Sequence, residues 1–198
     1  MFRALGDQAL RVQTEQARAL QRRLQAAPPV WLRDCALALG VLVVYFGRAD
    51  ITAVQGDLQA LLADLEAAPL PAGREVVIPV VYNGPDLAWV AERADVSETE
   101  LIRRHSAARY EVAFVGFTPG FAFLTGTPPE LQMPRLDSPR SRVPAGSVGL
   151  GGPWSGVYPL DSPGGWRLIG HTDLKLFDVR RAPATLLATG DTVRFEPL

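Results

Sequence analysis

Hydrophobic and polar positions follow two periods along the first half of the chain, and each period predicts an element. Ala9 to Gln13, after Gly6–Asp7, reads as a short strand. Thr14 to Ala26 places Ala17, Leu20, Leu24 and Ala27 on one helical face, with Thr14 as candidate N-cap and Pro28–Pro29 as the stop. Val30 to Phe46 is rich in Leu and Val, and Gly40 interrupts it, which predicts two strands joined by a tight turn. Ile51 to Ala68 returns to helical spacing through Val54, Leu58, Leu61, Leu62 and Leu65; Thr52 is its candidate N-cap, and Pro69 and Pro71 end it. Val76 to Tyr82 is strand-like, and Pro79 places it at an edge or a domain crossover, because proline cannot donate to a central ladder. The order β-α-β-β-α-β fits a small split βαβ unit of about 70 residues. The Pro-Leu-Pro-Ala-Gly segment at 69–73 is the expected boundary, dividing the chain into residues 1–73 and 74–198.

The second part opens with Asn83-Gly84-Pro85 and a short helix over Asp86 to Arg93. Ser97-Glu98-Thr99-Glu100 matches the S-x-x-E capping box and predicts a helix from Glu98 to Ala107. Tyr110 to Val115 is a strand, and beyond it the helical period is lost. Short β segments recur around Arg142–Val143, Ser147–Leu150, Val157–Tyr158, Trp166–Gly170, Lys175–Asp178 and Thr192–Glu196. Such a series, punctuated by turn residues, indicates a closed or nearly closed barrel. Phe114 to Thr172 holds most of the glycines and prolines, yet it also carries Phe117, Phe121, Phe123, Trp154, Tyr158 and Trp166. Those aromatics supply the apolar area that makes ordering worthwhile, so the stretch reads as ordered loops, where binding residues tend to sit.

Composition narrows the function classes. The chain has 198 residues, 47% hydrophobic and 21% charged, enough for one large or two small globular domains with a buried core. Net charge is −1 and no basic run exceeds two residues, which argues against nucleic acid as a partner. The longest apolar run, Ala36 to Phe46, is too short to span a bilayer, and the first residues lack a hydrophobic signal region, so a cytoplasmic protein is expected. Cys35 is the single cysteine and lies in an apolar run, as a small core residue would. With His105 and His171 the only histidines, no metal site is expected.

The common catalytic signatures are absent: no G-x-S-x-G, no Walker loop and no H-E-x-x-H. Gly149-Leu150-Gly151-Gly152 reads better as a bulge and turn in a barrel than as a phosphate cradle, since no lysine and no helix follow it. Arg135, Arg140 and Arg142 share a run with one acid, Asp137; they suit either an anionic ligand or a solvated loop. Ser147 can cap, turn or bind. Ser162-Pro163-Gly164-Gly165-Trp166 sets two glycines beside an indole, for tight packing or for a flat ligand surface. His105 sits on the capped helix as a half-buried structural residue, whereas His171 ends a strand, a better place for a ligand contact. Asp137, Asp161 and Asp173 are candidate acids or bases.

Three longer motifs then occur in order. They are Gly116-Phe117-Thr118-Pro119-Gly120-Phe121, Pro139-Arg140-x-Arg142-Val143-Pro144-Ala145-Gly146-Ser147-Val148-Gly149, and Tyr158-Pro159-x-x-Ser162-Pro163-Gly164-Gly165-Trp166-x-Leu168-Ile169-Gly170. Together they resemble the allophanate hydrolase subunit 1 family, whose members include a Kip-type sporulation kinase inhibitor and the B-type component of bacterial 5-oxoprolinase. The resemblance covers Ile78 to Phe195, and Leu5-Gly6-Asp7-x-Ala9-Leu10 is similar to the family's opening.

The resemblance implies an α+β protein with a cyclophilin-like β-barrel behind a small α/β domain. It implies a subunit 2 or C-type barrel partner and a third subunit, which together use ATP to open 5-oxoproline to glutamate. On that reading Arg140, Arg142 and His171 hold an anionic group, and backbone N–H groups near Gly146–Ser147 stabilise developing negative charge. Phe117, Pro119, Gly120, Pro144, Gly146, Ser147, Trp154, Ser162, Gly164, Gly165 and Trp166 are the implied substrate-binding residues, all walling one barrel pocket. The other reading is a regulatory module that docks on a histidine kinase. A peptidyl-prolyl isomerase would follow from the implied fold alone, and fold does not fix function. The chain departs from the family at Trp154, where a glutamine is usual, at His171, where an arginine is usual, and in a shorter loop at Tyr82-Asn83-Gly84.

Overall fold

The computed structural model describes residues 1–65 and 73–198. The chain divides into two compact units, Met1–Pro71 and Ala72–Leu198. Residues 69–72 of the expected boundary segment, and 66–68 at the expected end of the second helix, lie outside the described residues.

The first unit runs β1 (Phe2–Ala4), β2 (Ala9–Gln13), α1 (Ala17–Ala26), β3 (Leu32–Ala38), β4 (Val41–Phe46) and α2 (Ile51–Asp64). Its four strands pair antiparallel in the order β1-β2-β4-β3. Gly40, at φ +64°, supplies the left-handed residue of the β3–β4 turn. Leu10 and Val12 on β2, and Leu42, Val44 and Phe46 on β4, alternate onto one face of the sheet. That face buries Leu20 and Leu24 of α1 and Val54 and Leu58 of α2.

Three details differ from the sequence reading. Helix α1 begins at Ala17 after Gln16; the Thr14 hydroxyl accepts from the Gln16 amide at 3.2 Å in the preceding turn, and Ala27 is exposed beyond the helix end. Helix α2 is capped by Asp50 rather than Thr52. The Asp50 carboxylate accepts from Thr52 N (2.7 Å) and Ala53 N (3.1 Å), and these amides, Ala53 first, lower its pKa. The strand expected over Val76 to Tyr82 does not close this sheet. Phe2–Ala4 is its fourth strand instead.

The second unit holds β5 (Glu75–Val80), α3 (Leu87–Arg93), α4 (Glu98–Ala107), β6 (Tyr110–Val115), β7 (Ala122–Thr125), a single 3-10 turn at Pro129–Leu131, β8 (Arg140–Val143), β9 (Ser147–Gly151), β10 (Trp154–Val157), β11 (Ser162–Gly164), β12 (Arg167–His171) and β13 (Thr192–Pro197). Seven strands form one sheet in the order β12-β9-β10-β7-β6-β13-β5, and β8 with β11 makes a separate ribbon. Among the described residues only β5 and β13 pair in parallel; Pro79, which has no N–H to donate, lies on β5 at the end of that order. The two ends of the sheet then meet. Val81 N donates to His171 O and His171 N to Val81 O, both at 2.9 Å, which turns the sheet into a nearly closed barrel.

Ser97 caps α4 as its spacing predicts, its hydroxyl accepting from Glu100 N at 3.2 Å. The Glu100 carboxylate is taken by Arg103 and Arg104. β7 and β11 fall inside the aromatic Gly/Pro stretch, where the sequence pattern shows no strand. Lys175–Asp178 is not a strand, and only an isolated Phe177–Thr185 bridge marks it. His105, expected to be half-buried, is fully enclosed: Tyr82 Oη lies 2.7 Å from Nδ1, Ser155 Oγ lies 3.1 Å from Nε2, and the ring stacks on Phe195. Burial pushes its pKa down to about 3, so the ring is neutral in the folded protein at ordinary pH. Among the described residues no helix is long and apolar enough to cross a membrane.

Candidate functional site

The seam that closes the barrel also makes a cleft. His171 and Gly170 at the end of β12, Asn83-Gly84-Pro85 after β5, Arg140, Arg142 and Pro144 around β8, and Ser147 and Leu168 line a cavity of about 270 Å³. Gly146, at φ +84°, lets the chain turn beside His171; a Cβ there would stand 3.1 Å from the imidazole Cδ2.

The two arginines of this cleft are held differently. One guanidinium nitrogen of Arg140 donates to both oxygens of Asp86, at 2.9 and 2.8 Å, and another donates to Trp166 O at 3.1 Å. Asp86 is 7% exposed and also accepts from Leu168 N at 2.6 Å. Arg167 stands 4.0 Å from the same carboxylate while its guanidinium lies over the Trp89 ring. Asp86 precedes α3, yet its side chain caps no amide of that helix. Arg140 is therefore a half-buried clamp on a buried carboxylate, between β8, β12 and the start of α3.

Arg142 donates twice to Asp161 Oδ2, at 2.9 and 2.6 Å, but its side chain is 75% exposed and that of Asp161 47%. The Ala145 amide first, and then Arg142, hold the Asp161 carboxyl below its usual pKa. An exposed pair of this kind contributes little to stability, so a ligand carboxylate can replace Asp161 at small cost. His171 offers its ring from the cleft wall, with Nε2 3.2 Å from Asp173 Oδ1.

The backbone amides expected to receive negative charge are already engaged. Ala145 N donates to Asp161 Oδ1 (2.8 Å), Gly146 N to Tyr158 O (2.7 Å) and Ser147 N to Pro144 O (3.2 Å). The polar lining residues of the cleft besides Arg140 are Asn83, Arg142, Ser147 and His171. The glycine run 149–152 is the end of β9 and the turn into β10, as its sequence suggests. Among the described residues no three His, Cys, Asp or Glu side chains group to hold a metal ion.

A second cavity, of about 280 Å³, is lined by Phe117, Phe121, Phe123, Arg135, Pro139, Tyr158, Pro163, Gly164, Gly165 and Trp166. It shares no lining residue with the cleft. Phe121, 1% exposed, meets Phe117, Phe123, Tyr158 and Trp166 edge-on at centroid distances of 5.0 to 5.5 Å.

Residues 1–187 match the family described as the carboxyltransferase domain, subdomain C and D. The chain belongs to this carboxyltransferase family. It is 54% identical over 130 residues to the B-type component of 5-oxoprolinase from Escherichia coli O157:H7, an alignment covering 64% of this chain and 60% of the relative. It is 40% identical over 187 residues to the corresponding 5-oxoprolinase component of Haemophilus influenzae, covering 92% and 86%. The crystal structure of TTHA0988 superposes with a TM-score of 0.85 at 36% identity, covering 100% of this chain and 40% of that one.

For a carboxyltransferase-family barrel, the expected site residues fall into three groups. Arg140, Arg142, Pro144, Ser147 and His171 line the cleft. Phe117, Gly164, Gly165 and Trp166 line the aromatic cavity. Pro119, Gly120, Gly146, Trp154 and Ser162 line neither. The single pocket expected from the three motifs is therefore two, because the β8–β11 ribbon carries Arg140 and Arg142 into one cavity and Pro163 and Gly164 into the other. Trp154, one of the two departures from the family pattern, packs edge-on against Phe114 and Phe123. His171, the other, does face the cleft. Asp86 and Asn83 escape the sequence reading. Asp86 reads as an ordinary helix-start aspartate, and its partner Arg140 lies 54 positions away, beyond any local pattern.

Proposed function

We propose that this chain is the B-type component of an ATP-dependent 5-oxoprolinase, acting with a C-type barrel partner and a third subunit to open 5-oxoproline to L-glutamate. The observation that carries this reading is the 40% identity to a 5-oxoprolinase component of the same type over 187 residues, a length that takes in both compact units. The cleft at the barrel seam suits such a substrate. 5-Oxoproline has one carboxylate and one lactam amide, and both need polar partners when they leave water.

Arg142 takes the carboxylate, exchanging its exposed Asp161 contact for a ligand one. Asn83, Ser147 and His171, which line the same cleft, hydrogen-bond the lactam and orient its carbonyl on this reading. Arg140 keeps the wall in place and is a positioning residue. ATP supplies the driving force when bound in the complex.

The test is glutamate release from 5-oxoproline and ATP by the three purified subunits. Activity that requires this chain is expected; full activity without it would overturn the assignment.

A further inference from the structure

We propose that the aromatic cavity is a second ligand site, separate from the seam cleft, which takes a flat apolar ring bearing a single carboxylate. This does not rest on the 5-oxoprolinase reading. The walls are rings and prolines from three stretches, around Phe117, Pro139 and Gly165. A volume of about 280 Å³ is just below the common range for small-molecule pockets and suits one fused ring system rather than a nucleotide. Edge-on packing around Phe121 lets an inserted ring continue the same arrangement.

Charge selects the substituent. Arg135 is the only ionisable lining residue besides Tyr158, and it forms no ion pair among the described residues. Its field reaches the cavity: burial raises the Tyr158 pKa, while the Trp166 amide and then the charges of Arg135 and Arg140 act in the opposite direction. One cation calls for a monoanion, and a phosphate would ask for more donors than the walls supply.

The mouth carries a second sign of a ligand. Phe117 is 65% exposed and has φ +71°, a left-handed conformation rare for an aromatic residue. The turn around it is fixed by Thr118 N to Gly116 O and Phe121 N to Thr118 O, both 3.0 Å. A strained backbone that holds a ring out in water beside an apolar box is an arrangement that a stacking ligand would use.

The glycines give the test. A Cβ on Gly164 would strike the Tyr158 hydroxyl, but one on Gly165 would meet nothing nearer than 3.8 Å. Gly165 therefore takes a Cβ at ordinary contact distance, and Gly165→Val adds bulk to the cavity wall. Calorimetric titration of the full chain with 2-naphthoate should give saturable one-site binding, and 2-naphthalenemethanol should bind about three- to tenfold more weakly. Arg135→Gln should erase the difference between acid and alcohol. Gly165→Val should abolish binding at an unchanged melting temperature. Phe117→Gly, which relieves the strained φ and removes the outer ring, should weaken binding and stands in if Gly165→Val does not fold. No saturable binding, equal affinity for acid and alcohol, binding retained by Gly165→Val, or competitive displacement by 5-oxoproline would each overturn the proposal.

Discussion

The two cavities of the barrel are nearly equal in volume and draw on the same β8–β11 ribbon, yet they are built by different forces. The aromatic cavity is assembled from rings whose contacts are largely apolar and edge-to-face. The cleft depends on a backbone seam, Val81 to His171, and on two arginines with opposite degrees of commitment. Arg140 and Arg142 are two residues apart in one motif and on one strand. One is locked on a buried carboxylate and the other rests on an exposed one. A motif arginine is thus not a ligand contact by virtue of its charge; what matters is what already neutralises it.

That comparison breaks most visibly at Asp86. Asp86→Ala leaves Arg140 without its carboxylate and the Leu168 amide without an acceptor, and should destabilise the protein by about 3–5 kcal/mol in denaturant unfolding. Asp161→Ala removes the corresponding partner of Arg142 and should change stability very little. Equal losses from the two substitutions would erase the distinction between the arginines.

A second effect sharpens the contrast between the barrel core and its surface. The His105 pKa is depressed to about 3 in the folded chain, against an ordinary value near 6.5, so between those limits the unfolded chain binds the extra proton. The stabilisation from a neutral His105 is complete above about pH 6.5 and falls as pH drops, by up to about 1.4 kcal/mol per pH unit. His105→Gln should flatten the pH dependence of the melting temperature in that window; an unchanged slope would place acid sensitivity elsewhere.

Trp154→Gln restores the family's usual residue and should cost about 1–2 kcal/mol through lost contact with Phe114 and Phe123. Ligand affinity at both cavities should stay the same, since Trp154 lines neither. A change in 5-oxoproline affinity would return Trp154 to the substrate's surroundings.

Much of the first unit is legible in periodicity, because its buried faces are local: Leu20 and Leu24 on α1, Leu42 and Val44 on β4. The expected cap of α2 lies two residues from the real one because Asp50 and Thr52 are both good capping residues and pattern alone does not rank them. Val76 to Tyr82 is recognisable as a strand but not assignable to its sheet, since its partner, Thr192 to Pro197, comes more than a hundred residues later. β7 is hidden by its setting, four residues in an aromatic stretch punctuated by glycine. At the site, the motifs point to Arg142, Ser147 and His171, but they do not reveal Asp86 opposite Arg140 or the division of one expected pocket into two. Both depend on residues that are distant in sequence: Arg140 meets Asp86 across 54 positions, and each cavity is lined from several separate stretches.

In the proposed function the seam cleft holds substrate through Arg142 while Arg140 only maintains the wall. Steady-state kinetics of the reconstituted complex carrying Arg142→Ala tests it most directly. A KM for 5-oxoproline raised about tenfold is expected, as for a lost charge-assisted hydrogen bond, with the melting temperature of the isolated chain unchanged. An unaltered KM, or a fall in melting temperature as large as that of Asp86→Ala, would contradict it.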